Sequence, residues 1–163
     1  MTDVSTPPLP ETSIDETMDE LVDDLAYFDD WQDKYQQIIH MGRALPRFPE
    51  AWQTTDHEVH GCMARVWMKG HWQGDRLRLY ATSNAIIVSG LIAMLLKVYD
   101  NRTAAEILAH PPTFIQRIGM DGHFSQQRST GLKAMKNAIF DIARRGPSGL
   151  DAEPSAAQTE VTS

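Results

Sequence analysis

Cysteine is nearly absent from this chain: Cys62 is the only one among 163 residues. A lone thiol closes no intramolecular disulfide, which excludes a small secreted scaffold stapled by cystines and suits a reducing compartment. It cannot by itself make a metal cage, and no other ligand set falls at a recognisable spacing. Glycine-rich phosphate loops and internal repeats are missing too. The N-terminus lacks the basic-then-apolar layout of a secretory leader. The most apolar run, Ala85 to Leu96, is interrupted by Ser89 and Gly90 and is too short to cross a bilayer. A cytoplasmic protein without a membrane segment is the expectation. Lys and Arg are absent from residues 1–33, which hold eleven of the 22 acids; the other eleven face all fifteen bases. With a net charge of −7, nonspecific nucleic-acid binding is disfavoured.

What is present belongs to an ordinary globular protein, 42% apolar and 23% charged, long enough for one core. Residues 1–12 carry three prolines and little to bury, and read as a disordered tail. Residues 13–146 make one domain. Residues 147–163 are small and polar, and read as a second disordered tail.

Within the domain, Ser13-Ile-Asp-Glu16 has the form of a capping box. Ile14, Met18, Leu21, Val22, Leu25 and Phe28 follow at helical spacing. Asp30 opens a second helix, with Trp31, Tyr35, Ile38 and Ile39 as its apolar stripe and Gly42 as its closing glycine. Pro46 and Pro49 mark an irregular connection. Val66 to Lys69 and Leu77 to Ala81 alternate with period two and form a hairpin turning near Gly74-Asp75. Ser83 is placed to cap a nearly all-apolar helix from Asn84 to about Tyr99, whose central Gly90 implies a close packing contact. Thr103-Ala-Ala-Glu106 and Thr113-Phe-Ile-Gln116 are two further capping boxes. A last helix runs from about Ser129 to Arg145, stopped by Gly146-Pro147. The order predicts an α+β fold of two layers: a small antiparallel sheet of about three strands covered on one side by several helices.

Chemistry, if there is any, rests on Cys62. His57, His60 and Arg65 lie close to it in sequence and would favour a thiolate, while Gly61 removes a side chain that would crowd an approaching reagent. The alternative is a small buried hydrophobe, and composition does not decide between them. A cysteine hydrolase or acyltransferase would need a histidine base from elsewhere in the chain, with His71, His110 and His123 as candidates. An iron–sulfur scaffold needs several thiolates, and one is too few.

Four segments in order shift the balance. Trp31-Gln-Asp-Lys-Tyr-Gln-Gln-Ile-Ile-His-Met-Gly-Arg-Ala-Leu-Pro46 resembles the second helix and following turn of the SufE family of sulfur-acceptor proteins. Val59-His-Gly-Cys-Met-Ala-Arg-Val-Trp67 resembles that family's cysteine motif. Ser83-Asn-Ala-Ile-Ile-Val-Ser-Gly-Leu91 and Arg128-Ser-Thr-Gly-Leu132 match two further segments, so the resemblance spans about Leu21 to Arg145. Two positions depart from the family pattern: Ala64 stands where serine is usual, and Asn84 where aspartate is frequent.

The resemblance implies a SufE/NifU-like fold and a sulfur carrier, not an enzyme. Cys62 would accept sulfane sulfur as a persulfide from a SufS-like cysteine desulfurase, stimulate that partner, and pass the sulfur to an iron–sulfur scaffold. The carrier itself has no cofactor; the pyridoxal phosphate belongs to the desulfurase. Gly61, His60, Arg65, Arg128 and Asn84 are the implied loop and partner contacts. Met63, Val66 and Trp67 are the implied apolar shelter of the cysteine. The carrier would be a monomer or a homodimer.

Overall fold

The computed structural model describes residues 10, 12–62, 64–120, 126–147 and 151–152, without the side chains of 126–128, 151 and 152. The expected N-terminal tail lies almost wholly outside these residues, as does most of the C-terminal one. Helix α1 (Ile14–Ala26) begins at the expected capping box: Ser13 Oγ accepts from the Glu16 amide, and the Glu16 carboxylate accepts from the Ser13 amide. Helix α2 (Trp31–Arg43) begins at Asp30, whose carboxylate accepts from the Asp33 amide at 2.9 Å. Strands β1 (Val66–Gln73) and β2 (Arg76–Ser83) form a hairpin closed by two residues, with Gly74 at φ +63° where a side chain would be strained. Then follow α3 (Ile86–Tyr99), β3 (Arg102–Thr103), α4 (Ala104–Ala109), α5 (Phe114–Ile118), α6 (Gln126–Arg145) and β4 (Asp151–Ala152).

The sheet is antiparallel in the order β3-β2-β1-β4. Two residues inside the expected C-terminal tail, Asp151 and Ala152, thus pair with His71 and Gly70 of β1. The physical reason is that the open side of β1 offers unpaired backbone groups to a passing segment. Period two sorts the hairpin. Val66, Met68 and Trp72 point inward with Leu77, Leu79 and Ala81, and all are buried. Trp67 and Lys69 face the other way, opposite Thr82 and Tyr80. There the 44–58 connection covers part of the outer face, with Trp52 against Tyr80 at 5.6 Å and Lys69 over the Trp52 ring at 4.9 Å.

Helix α3 is buried along nearly its whole length and forms the centre of the helical layer. Its Gly90 lets α2 approach so closely that a Cβ there would stand 2.3 Å from the Ile38 carbonyl oxygen. From the other side, a Cβ on Gly42 would stand 2.6 Å from the Gly90 nitrogen. Gly42 is therefore a packing glycine inside α2 and not the closing one. Ser83 does not cap α3 either. It is held at the end of β2 as the partner of Val66, and α3 starts three residues later behind Ala85, without a side-chain cap. Thr103 makes its capping box, whereas Thr113 makes none and instead donates to Met18 Sδ at 3.5 Å, tying α5 to α1. Among the described residues no helix is long and apolar enough to cross a membrane.

Candidate functional site

Between the 44–58 connection and β1 the chain makes a narrow loop, closed at its neck. The Val59 amide donates to the Val66 carbonyl at 2.8 Å, and Glu58 bridges to Trp67. Arg65 places its guanidinium against both Glu58 carboxylate oxygens at 3.3 Å each and over the Trp67 ring at 4.8 Å. A planar fork facing a carboxylate and stacked on an indole is held in two directions at once. On the far side, Asn84 exchanges two bonds with Arg65: its Oδ1 accepts from the Arg65 amide at 3.0 Å, and its own amide donates to the Arg65 carbonyl at 3.3 Å. The residue that departs from the aspartate pattern therefore still supplies an acceptor oxygen to the loop. Asn84→Ala removes that oxygen, worth about 1 kcal/mol. Amide exchange of the 60–65 loop is expected to rise several-fold while the β1–β2 hairpin is unchanged, as read by mass spectrometry.

At the tip, Gly61 adopts φ +100°, a conformation that favours glycine, and a Cβ there would meet Ala134 Cβ of α6 at 3.3 Å. The backbone turn carries Cys62 onto α6 one helical turn away. The half-buried thiol donates to the Gly131 carbonyl with Sγ···O 3.6 Å, a length suited to sulfur. A Cβ on Gly131 would sit 3.6 Å from Sγ and 3.7 Å from Cys62 Cα and Cβ, so loop and helix are in van der Waals contact. Gly131 and Ala134 are the seat of the cysteine.

Burial pushes the Cys62 thiol above its ordinary pKa. The basic neighbours expected to lower it are directed elsewhere: Arg65 to Glu58, and His57 Nδ1 to Thr54 Oγ1 at 3.1 Å. His60 is exposed. Of the histidines considered as a general base, His110 contacts the Glu106 carbonyl and the Asp15 carboxylate, and His71 lies on the outer face opposite Arg78. His123 lies outside the described residues. Of the sheltering residues, Val66 belongs to the inner core that Cys62 packs against. Trp67 does not: as the next residue in a strand it points to the opposite face, beneath Arg65. Met63 lies outside the described residues; Arg128 is in α6, but its side chain is outside them. Among the described residues no group of three or more His, Cys, Asp or Glu is placed to hold a metal ion.

Sequence reasoning missed Glu58, Gly131 and Ala134. For Gly131 a signal existed: a glycine within a helix costs about 1 kcal/mol against alanine and calls for a close neighbour. For Glu58 and Ala134 nothing local pointed to the loop.

Fold and site together define a small α+β protein whose distinctive chemical group is one sheltered thiol on a pinned loop. Residues 19–143 match the SufE family, described as an Fe-S metabolism associated domain. An uncharacterized SufE-like protein of Rhizobium meliloti is 36% identical over 128 residues, 76% of this chain and 91% of that protein. The sulfur acceptor protein CsdE of Escherichia coli is 34% identical over 132 residues, 79% of this chain and 89% of that one. A hypothetical protein from Thermus thermophilus, solved in solution, shares the fold with a TM-score of 0.68 at 18% identity, covering 82% of this chain and 97% of its own. The chain belongs to the SufE family.

Proposed function

We propose that this protein is a sulfur acceptor for a cysteine desulfurase and takes sulfane sulfur onto Cys62. The observation that carries the reading is the placement of the sole cysteine at the tip of a closed loop, half-buried on α6. Family membership and the naming of CsdE as a sulfur acceptor support it. A structural core cysteine would need no left-handed glycine, no ion-paired neck and no asparagine tie to hold it at a loop tip.

In the reaction, the Cys62 thiolate attacks the terminal sulfur of a persulfide on the partner. The new S–S bond forms on Cys62, the partner's S–S bond breaks, and its electron pair leaves on the partner's thiolate. This is thiol–disulfide exchange, in which a good leaving thiolate speeds the step. Pyridoxal phosphate stays with the desulfurase, and the loaded Cys62 delivers its sulfur to iron–sulfur cluster assembly, in the cytoplasm. Shelter on α6 guards thiol and cargo from oxidation. Partner contact falls on the exposed loop surface, with His60, Gly61 and Arg65, and on Ile86, which is 61% exposed two residues past Asn84. Arg128 we retain as a contact on the family resemblance alone.

Incubation with a desulfurase and free cysteine is expected to add the mass of one sulfur to the intact chain, on Cys62. The gain disappears on reduction and is absent from Cys62→Ser. No gain in the wild type, or an equal gain in the serine variant, overturns the reading.

A further inference from the structure

The bond from Cys62 to Gly131 depends on what the sulfur carries. In the thiol, Sγ bears a proton and donates it to the Gly131 carbonyl. In a persulfide, Sγ is bonded to Cβ and to a second sulfur and has no proton left. A carbonyl oxygen only accepts, so the pair changes from donor facing acceptor to two sets of lone pairs facing each other. Size acts in the same direction. An S–S bond is about 2.05 Å, so a sulfur placed along the present Sγ···O line would end roughly 1.6 Å from the oxygen. On the flank, the Gly131 surface already touches Cys62. The side left for the added atom is the outward one.

We propose that the Gly131 carbonyl senses whether Cys62 is loaded: it holds the loop tip on α6 while the sulfur is a thiol and releases it when a second sulfur replaces the proton. The inference rests on the sulfur-acceptor reading and adds direction to it. None of the bonds at the neck involves residues 60–62, since they join Glu58 to Trp67, Val59 to Val66, Glu58 to Arg65 and Arg65 to Asn84. The tip can therefore lift while the neck stays closed, turning about Gly61. An empty acceptor keeps its thiol covered. A full one presents its cargo to the next protein.

The test uses the full chain loaded with inorganic polysulfide. The Cys62 thiolate takes one terminal sulfur, and the shortened polysulfide leaves with the electron pair, so no desulfurase is required. Hydrogen exchange at residues 59–62 is expected to rise roughly three- to tenfold on loading, the range of one lost modest bond. Exchange in β1 and β2 stays constant. Cys62→Ser retains an O–H donor and should show the unloaded level with or without polysulfide. Cys62→Ala has neither donor nor added bulk, and its tip should exchange faster than that of the serine variant. Equal exchange at the tip of loaded and unloaded chains overturns the proposal, as does equal exchange in the alanine and serine variants. If polysulfide loading opens the tip but a desulfurase adds no sulfur, the acceptor reading fails and the latch stands. If a desulfurase loads Cys62 while the tip stays covered, the latch fails and the acceptor reading stands.

Discussion

Gly90→Ala is expected to destabilise the protein by about 2–3 kcal/mol, through overpacking of the α2–α3 crossing. Two effects oppose each other here. Alanine is the better helix former by about 1 kcal/mol, which alone would raise stability. Against this, the added Cβ would stand 2.3 Å from Ile38 O and 2.5 Å from Ile38 Cγ2. The first of these is a backbone atom and cannot turn aside, so α2 and α3 must separate. Separation strips contacts from Ile38, Leu91 and Met94, all fully buried. The clash wins. For a domain of this size the melting temperature should fall by roughly 5–10 °C. Gly42→Ala should act in the same direction, and because the two glycines face each other the double variant should lose less than the sum. Gly131→Ala is the contrast: its Cβ makes only ordinary contacts at 3.6–3.7 Å, so helix propensity should leave stability within about 1 kcal/mol of the wild type. An unchanged melting temperature for Gly90→Ala would contradict this account of the crossing.

Those glycines also show where legibility ends. The capping boxes at Ser13 and Thr103 are local patterns, three residues from end to end, and the chain forms both. The hairpin was visible in alternation and in Gly74, and the core helix in its unbroken apolarity. Gly42 looks the same in sequence whether it ends a helix or admits another one, and only the facing Gly90 tells which. Ser83 and Thr113 carry capping letters too, but strand pairing holds the first and Met18 engages the second.

At the site, Cys62 stood out by being alone, and the family resemblance gave it a task. Its actual seat, Gly131 and Ala134, is about 70 residues further along the chain and comes near only through the fold. Nearness in sequence misled for the charges: Arg65 is three residues from Cys62 yet spends its guanidinium on Glu58. Trp67 was an avoidable error. Once Val66 points inward, the pleat sends the next side chain outward.

Cys62 in the resting protein is expected to react with iodoacetamide at neutral pH on the order of tenfold or more slowly than a free thiol, because the tip must first lift off α6. The pH profile of alkylation should be displaced upward as well. Burial favours the neutral thiol over the thiolate, so the seated sulfur gives up its proton above the ordinary thiol range. The sign for the loop follows from linkage. A group that binds its proton more tightly when seated stabilises the seated state fully below the ordinary thiol pKa, and that contribution is lost as pH rises through the seated value. Alkaline pH should therefore loosen the tip, not tighten it. Gly131→Leu supplies the decisive comparison. A leucine side chain would fill the ground now occupied by Cys62, so the tip cannot seat, the alkylation profile should return toward that of a free thiol, and the neutral-pH rate should rise about tenfold or more. A wild-type rate already equal to that of a free thiol at neutral pH would mean that the contact with α6 gives no protection. Both the shelter and the latch depend on that contact, whereas sulfur uptake needs only the thiolate. A Gly131→Leu protein should accordingly still accept sulfur from a desulfurase but lose it faster to an added reductant.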